Sequence, residues 1–268
     1  ASSAGNHAQG VAAASSLLKI PCTIVMPKTS PLVKVQNTKS FGAKVILEGN
    51  FYDDAFQKAK EIEKESGAYF VHPFADARIM AGQGTIALEI ESQKSKVMFD
   101  ELLIPVGGGG LSAGVSTYYK SKFPKTKIKV VSSVNAPNMI YSLQKGKIQN
   151  NPNKQSFADG LNVKNVDANV FNYLKSLVDE AVVVEEDSIV VAMGLMMERC
   201  KMMVEGSAAV GIAHILEHQR MYKGKKICLI ISGANVDLAL AGDIADRYLS
   251  KIRRHVWLRC IIIDKPGN

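Results

Sequence analysis

The stretch Leu102-Leu103-Ile104-Pro105-Val106-Gly107-Gly108-Gly109-Gly110-Leu111-Ser112-Ala113-Gly114 decides the fold. A short apolar run is broken by four glycines and followed by a helical pattern from Leu111 to Lys122. Four consecutive glycines remove every side chain between a strand and a helix. Bare backbone N–H groups can then approach an anion, with the positive end of the next helix behind them. A phosphate suits such a cradle. No Gly-Lys-Ser/Thr follows, and the spacing is not that of a dinucleotide fingerprint. A glycine-rich tight turn without a ligand remains the alternative at this point. On the anion reading, a β-branched residue at Gly108 is expected to lower anion affinity and leave the stability of the ligand-free protein nearly unchanged.

Working outward, strand-like and helical patterns alternate. Ala1 to Gly10 is a small-residue turn leading into a helix from Val11 to Leu18; its Ser3, Asn6 and helix-start N–H groups suit a carboxylate, or form an ordinary cap. Cys22 to Met26, Lys44 to Leu47 and Tyr69 to Val71 read as strands, separated by helices over Pro31 to Phe41 and Phe51 to Ser66. After His72-Pro73-Phe74 a second series begins. It has a helix from Ile79 to Glu91, the strand into the glycines, a strand from Ile128 to Val134 and a polar loop from Gly146 to Ser156. Helices over Val170 to Leu177, Asp187 to Cys200 and Ser207 to His218 follow, with strands at Ala181 to Val184 and Lys226 to Ile231. The expected fold is therefore α/β, with two open, mostly parallel sheets flanked by helices. Ligands of such sheets lie at the carboxyl ends of strands, where the glycines and Ser232 both fall.

Composition sets outer bounds. The chain has 268 residues, 47% hydrophobic and 22% charged, with a net charge of +8. Its lysines are scattered and no basic run is interleaved with aromatics, which argues against a nucleic-acid partner. No apolar run reaches membrane-spanning length. Cys22, Cys200, Cys228 and Cys260 form no CxxC pair, so buried free thiols in a reducing compartment are expected, cytoplasmic or mitochondrial.

In this order, Ser3-Ala4-Gly5-Asn6-His7, His72-Pro73-Phe74, Ala81-Gly82-Gln83-Gly84-Thr85, Pro105 to Gly110, Ala158-Asp159-Gly160, Glu205-Gly206 and Ser232 to Asp237 resemble the threonine/serine dehydratase family. These are fold-type II pyridoxal-phosphate enzymes, tryptophan synthase β-like in architecture. The resemblance implies a small α/β domain over 1–75 carrying the carboxylate loop, a large α/β domain over 76–250, and the start of an ACT-like regulatory domain over 251–268. It implies that Gly107, Gly108, Gly109, Gly110 and Leu111 hold the cofactor phosphate. Ser3, Gly5, Asn6 and His7 would hold the substrate carboxylate, Asn6 and Glu205 would lie near the cofactor ring, and Ser232 would face its pyridine nitrogen. A helix-start carboxylate stabilised by the dipole is the alternative for Glu205. The implied reaction is β-elimination from threonine or serine, giving 2-oxobutanoate or pyruvate and ammonia, by a homo-oligomer at full length.

The departures are specific. The family's Schiff-base lysine precedes the Ser-Ala-Gly-Asn-His loop, and no such context occurs here, so the chain is expected to be truncated at both ends and inactive as it stands. Ser132, Ala136 and Asn138 occupy the places of the family's cation-binding acids, so no metal is expected there. Ala4 stands where serine racemases carry a second serine, which disfavours but keeps open a racemase-like enzyme. A non-catalytic paralogue that binds pyridoxal phosphate or an amino acid is the remaining alternative.

Overall fold

A computed structural model describes residues 1–93, 97–150, 154–256 and 258. The small sheet pairs β1 (Thr23–Met26) with β2 (Lys44–Leu47) in parallel. It is served by α1 (Asn6–Leu17), α2 (Leu32–Ser40) and α3 (Tyr52–Ser66). The larger sheet follows α4 (Ala77–Gln93). It runs β3 (Glu101–Pro105), α5 (Gly110–Lys122), β4 (Lys127–Ser133), α6 (Asn138–Lys145), α7 (Ala168–Leu177) and β5 (Glu180–Val184). It ends with α8 (Glu186–Leu195), α9 (Gly206–Glu217), β6 (Ile227–Leu229) and α10 (Leu238–Lys251). The four strands are all parallel, in the order β5-β4-β3-β6.

Parallel strands are covered on both faces and so read as continuous apolar runs. Side-chain alternation along β3 shows it: Leu103 joins the core under α8, α9 and α10, whereas Leu102 and Ile104 join Ala87, Val115 and Tyr119 of α4 and α5. The α4–α5 crossing depends on two glycines. A Cβ on Gly84 would lie 3.1 Å from Gly114 O, and one on Gly114 would collide with Met80 O. A group of charges is buried at the opposite end of the sheet from the glycine loop. Lys129 of β4, 2% exposed, donates to Tyr222 Oη at 2.9 Å and pairs with Glu180 at 3.0 Å and Glu101 at 3.5 Å.

Three expectations need correction. Tyr69 to Val71 is not a strand: β1 is flanked by β2 and by Ala1–Ser3, which pair with Val25, and Tyr69 to Val71 is in neither pairing. Phe70 instead packs beside Ala55 and Ala59 of α3. The helix expected from Val11 begins at Asn6, so the carboxylate-loop residues Asn6 and His7 are its first turn. The thiols are not uniformly buried. Cys22 and Cys228 are half-buried, whereas Cys200 is exposed, because the helix expected to run to Cys200 ends in a π-turn over Met196–Cys200. Of the ACT-like start expected over 251–268, residues 257 and 259–268 lie outside the described residues.

Two outcomes follow. Gly114→Ala should destabilise the protein by about 1–3 kcal/mol in urea unfolding through overpacking at the α4–α5 crossing. An unchanged midpoint would mean that the helices separate freely. Burial pushes the Cys228 thiol up to about 11, so near pH 8 its reactive thiolate is scarce. Mass-resolved alkylation should label the exposed Cys200 well before Cys228; the reverse order would contradict this placement.

Candidate active site

The site is built where β3 leaves the sheet. Val106 N–H still donates to Val131 O at 2.9 Å; the chain then bends through Gly107–Gly109, and α5 starts at Gly110. Each glycine meets a different neighbour. A Cβ would lie 2.5 Å from Gly160 O at position 107, 2.5 Å from the Phe74 ring at 108, 2.7 Å from Val170 Cγ1 at 109 and 2.8 Å from Phe74 O at 110. Gly109 also has φ +90°, a left-handed conformation that side chains oppose. The glycines are therefore required by packing before any ligand is considered. The expectation that a β-branched residue at Gly108 spares stability is corrected, because its Cβ strikes the Phe74 ring.

The same loop has the donors an anion needs. Among the described residues no acceptor is found for the N–H groups of Gly107, Gly108, Gly109, Gly110 or Leu111. Such N–H groups at a helix start are stabilised by negative charge, and a phosphate matches them in size and number of acceptors. The residues present fit the phosphate group of pyridoxal phosphate.

From this loop a chain of contacts reaches the small sheet. Gly107 packs on the turn Asp159–Leu161, and Gly160 lies under Ser207, whose buried hydroxyl has no partner among the described residues. Ser207 is the second residue of α9, and Glu205 stands just before that helix, 6% exposed. Glu205 N–H donates to Gly233 O at 3.0 Å, and a Cβ on Gly233 would strike the Glu205 carboxylate. The side-chain amide of Asn6 donates to both Glu205 oxygens, at 2.9 and 3.1 Å, across 199 residues of sequence. Glu205, Asn6 and the segment holding Ser232 thus meet, while the Ser232 side chain is exposed.

Within the carboxylate loop, Gly5 N–H donates to Ser3 Oγ at 3.1 Å, leaving the Ser3 hydroxyl proton to donate elsewhere. His7 Nε2 lies 3.0 Å from Val71 O and therefore donates, carrying the proton of a neutral ring. His72 Nδ1 accepts from Phe74 N at 3.2 Å and Ala75 N at 2.8 Å, which sets the Phe74 backbone against the glycine loop. Burial, above all, lowers the pKa of both histidines, so neither carries charge near neutrality. The sequence reading missed three participants: Ser207, and the ion pair between Lys34 of α2 and Asp159. Asp159 lay within a quoted motif; Lys34 sits in an ordinary helical pattern and had no local signal.

Fold and site together define a fold-type II pyridoxal-phosphate protein. A family model described as pyridoxal-phosphate dependent enzyme matches residues 1–233, and the chain belongs to that family. It is 44% identical over 267 residues to an L-threonine ammonia-lyase of Thermotoga maritima, covering 100% of this chain and 66% of that protein. The chain thus spans just under two thirds of that relative's length. Among solved structures, the processed form of threonine deaminase isoform 2 from Solanum lycopersicum superposes with a TM-score of 0.86 at 38% identity, over 92% of this chain and 68% of that one. Maize serine racemase does so with a TM-score of 0.84 at 32% identity, over 94% and 77%.

The Asn6–Glu205 contact gives a direct test. Asn6→Asp would set two carboxyl groups face to face, so one pKa rises above its unfolded value. Stability should fall by about 1–3 kcal/mol at pH 7. A raised pKa means stability is kept below the unfolded value, so the melting-temperature gap to wild type should close as pH drops towards about 4. A gap independent of pH would show that the groups do not face each other.

Proposed function

We propose that the full-length protein is a threonine ammonia-lyase that also accepts serine, releasing 2-oxobutanoate or pyruvate with ammonia. The observation that carries the reading is the run of N–H groups from Gly107 to Leu111 that have no acceptor among the described residues, joined through Gly160 and Ser207 to the start of α9, where Asn6, Glu205 and Gly233 meet. The 44% identity to a threonine ammonia-lyase supports the choice of substrate.

In this reading Gly107, Gly108, Gly109, Gly110 and Leu111 hold the phosphate. Pyridoxal phosphate, when bound, supplies an electron sink for negative charge developing at the substrate's α-carbon. The hydroxyl of Ser3, with the Gly5, Asn6 and His7 segment at the start of α1, binds the substrate carboxylate at the positive end of that helix. Ser232 offers a neutral hydroxyl to the pyridine nitrogen, leaving it largely unprotonated and moderating the sink, which suits elimination of a β-hydroxyl. Glu205 orients Asn6 beside the ring. Residues 1–75 form the substrate domain and 76–250 the cofactor domain of a homo-oligomer, in a reducing compartment such as the cytoplasm.

The similarity to serine racemase supports a second reading, against which stands Ala4, which offers no hydroxyl to exchange a proton. The experiment is an assay of the full-length gene product, with pyridoxal phosphate, for 2-oxo acid from threonine and for D-serine from L-serine. Threonine turnover is expected, slowed at least about tenfold by Ser232→Asp, since one pKa unit of ring protonation is a tenfold population change. D-serine without 2-oxo acid would select the racemase, and neither product would reject both.

A further inference from the structure

The C-terminal turn of α9 carries a second constellation, about 14 Å along the helix from Glu205 and unconnected with the reaction above. His214, Glu217 and His218 each present one ligand atom there, all within 4.8 Å of one another. Two histidines four residues apart project from the same helix face, the spacing by which a helix grips a single transition-metal ion. His214 is 2% exposed, and among the described residues neither of its ring nitrogens has a hydrogen-bond partner. A buried imidazole without a partner is unusual, because desolvating a polar group without replacing its hydrogen bonds is costly. Its ring lies 4.6 Å, centroid to centroid, from that of His218.

We propose that His214, Glu217 and His218 form a binding site for one divalent transition-metal ion, with zinc as its occupant. Imidazole and carboxylate are the ligands zinc takes at about 2.0–2.2 Å, and a fourth position is left to water. The ligand atoms must draw together by a modest amount to reach that geometry. His218 and Glu217, with side chains 45% and 22% exposed, have the freedom to do so while His214 stays fixed. Glu217 Oε1 accepts from Glu185 N–H at 3.1 Å, which orients the carboxylate and leaves Oε2 towards His218, 3.9 Å from its Nε2. The negative end of the α9 dipole favours a cation here. The buried cation Lys129 acts on His214 against a second positive charge, and its partners Glu101 and Glu180 act in the opposite sense.

The test titrates zinc chloride into the chelator-treated, tag-free chain by calorimetry, with imidazole nitrogen NMR as the structural readout. One zinc per chain is expected, with shifts at the His214 and His218 ring nitrogens and a higher melting temperature. His218→Ala and Glu217→Gln, both at solvent-accessible positions, should fold as wild type without metal and bind zinc at least about tenfold more weakly. Cys200→Ser should bind as wild type. Absence of stoichiometric zinc, unchanged affinity in His218→Ala, or loss of binding in Cys200→Ser would each overturn the site.

Discussion

The structure depends on the close approach of backbone at Gly107–Gly110. Three separate regions meet there: the segment after the small sheet through Phe74, the turn at Gly160, and α7 through Val170. Side chains at these positions would have to occupy space already filled, and overpacking of this kind costs about 1–3 kcal/mol per site. In the same loop the N–H groups have no acceptor among the described residues. Close packing and a row of N–H groups open to an acceptor are thus two consequences of one local sequence.

Helix α9 carries the consequences through the molecule. From Gly206 to His214 every residue is buried, so its position against β3, β4 and β5 is fixed by the core and not by its ends. Its start supplies Glu205 and Ser207 to the cofactor end of the sheet. Its finish lies with the histidines, near the buried Lys129 cluster at the opposite end. A parallel sheet places all strand carboxyl ends on one side, so the start of α9 lies with the glycine loop and its finish with the buried charges.

What the sequence revealed was local. The strand–glycine–helix unit and the apolar runs of β1, β3 and β4 depend on neighbours within a few residues, and these strands fell within one residue of their observed bounds. What it concealed was set at long range. Tyr69 to Val71 has the composition of a strand, yet Phe70 packs onto Ala55 and Ala59 of α3, residues no local pattern links to it. The helices α6 and α10 are the exception: each buries one apolar face, Met139 and Ile140 in α6 and Ala241, Ile244 and Tyr248 in α10, a local pattern that went unread. Phe74 sits in a motif with no sign that its ring covers Gly108. Lys129 reads as a solvated residue in a strand, because the acids that bury it are 28 and 51 positions away.

Two contacts join the small sheet to the large one at the site, and their magnitudes differ. The Lys34–Asp159 pair has one partner more than half exposed, with side-chain exposures of 13% and 59%; such pairs contribute about 0–1 kcal/mol and weaken with salt. Asn6 meets a carboxylate that is 6% exposed. A hydrogen bond to a buried charged group contributes about 1.5–3 kcal/mol, and breaking it leaves that charge without its donor. The registration of the Ser3–His7 segment over the start of α9 therefore rests mainly on Asn6 and Glu205. That bond is made by the first residue of α1 and by the residue just before α9, so two rigid helices hold it. Small movements of either helix reach the site as a change in one short contact, the arrangement a site needs if it is to keep two binding loops in register.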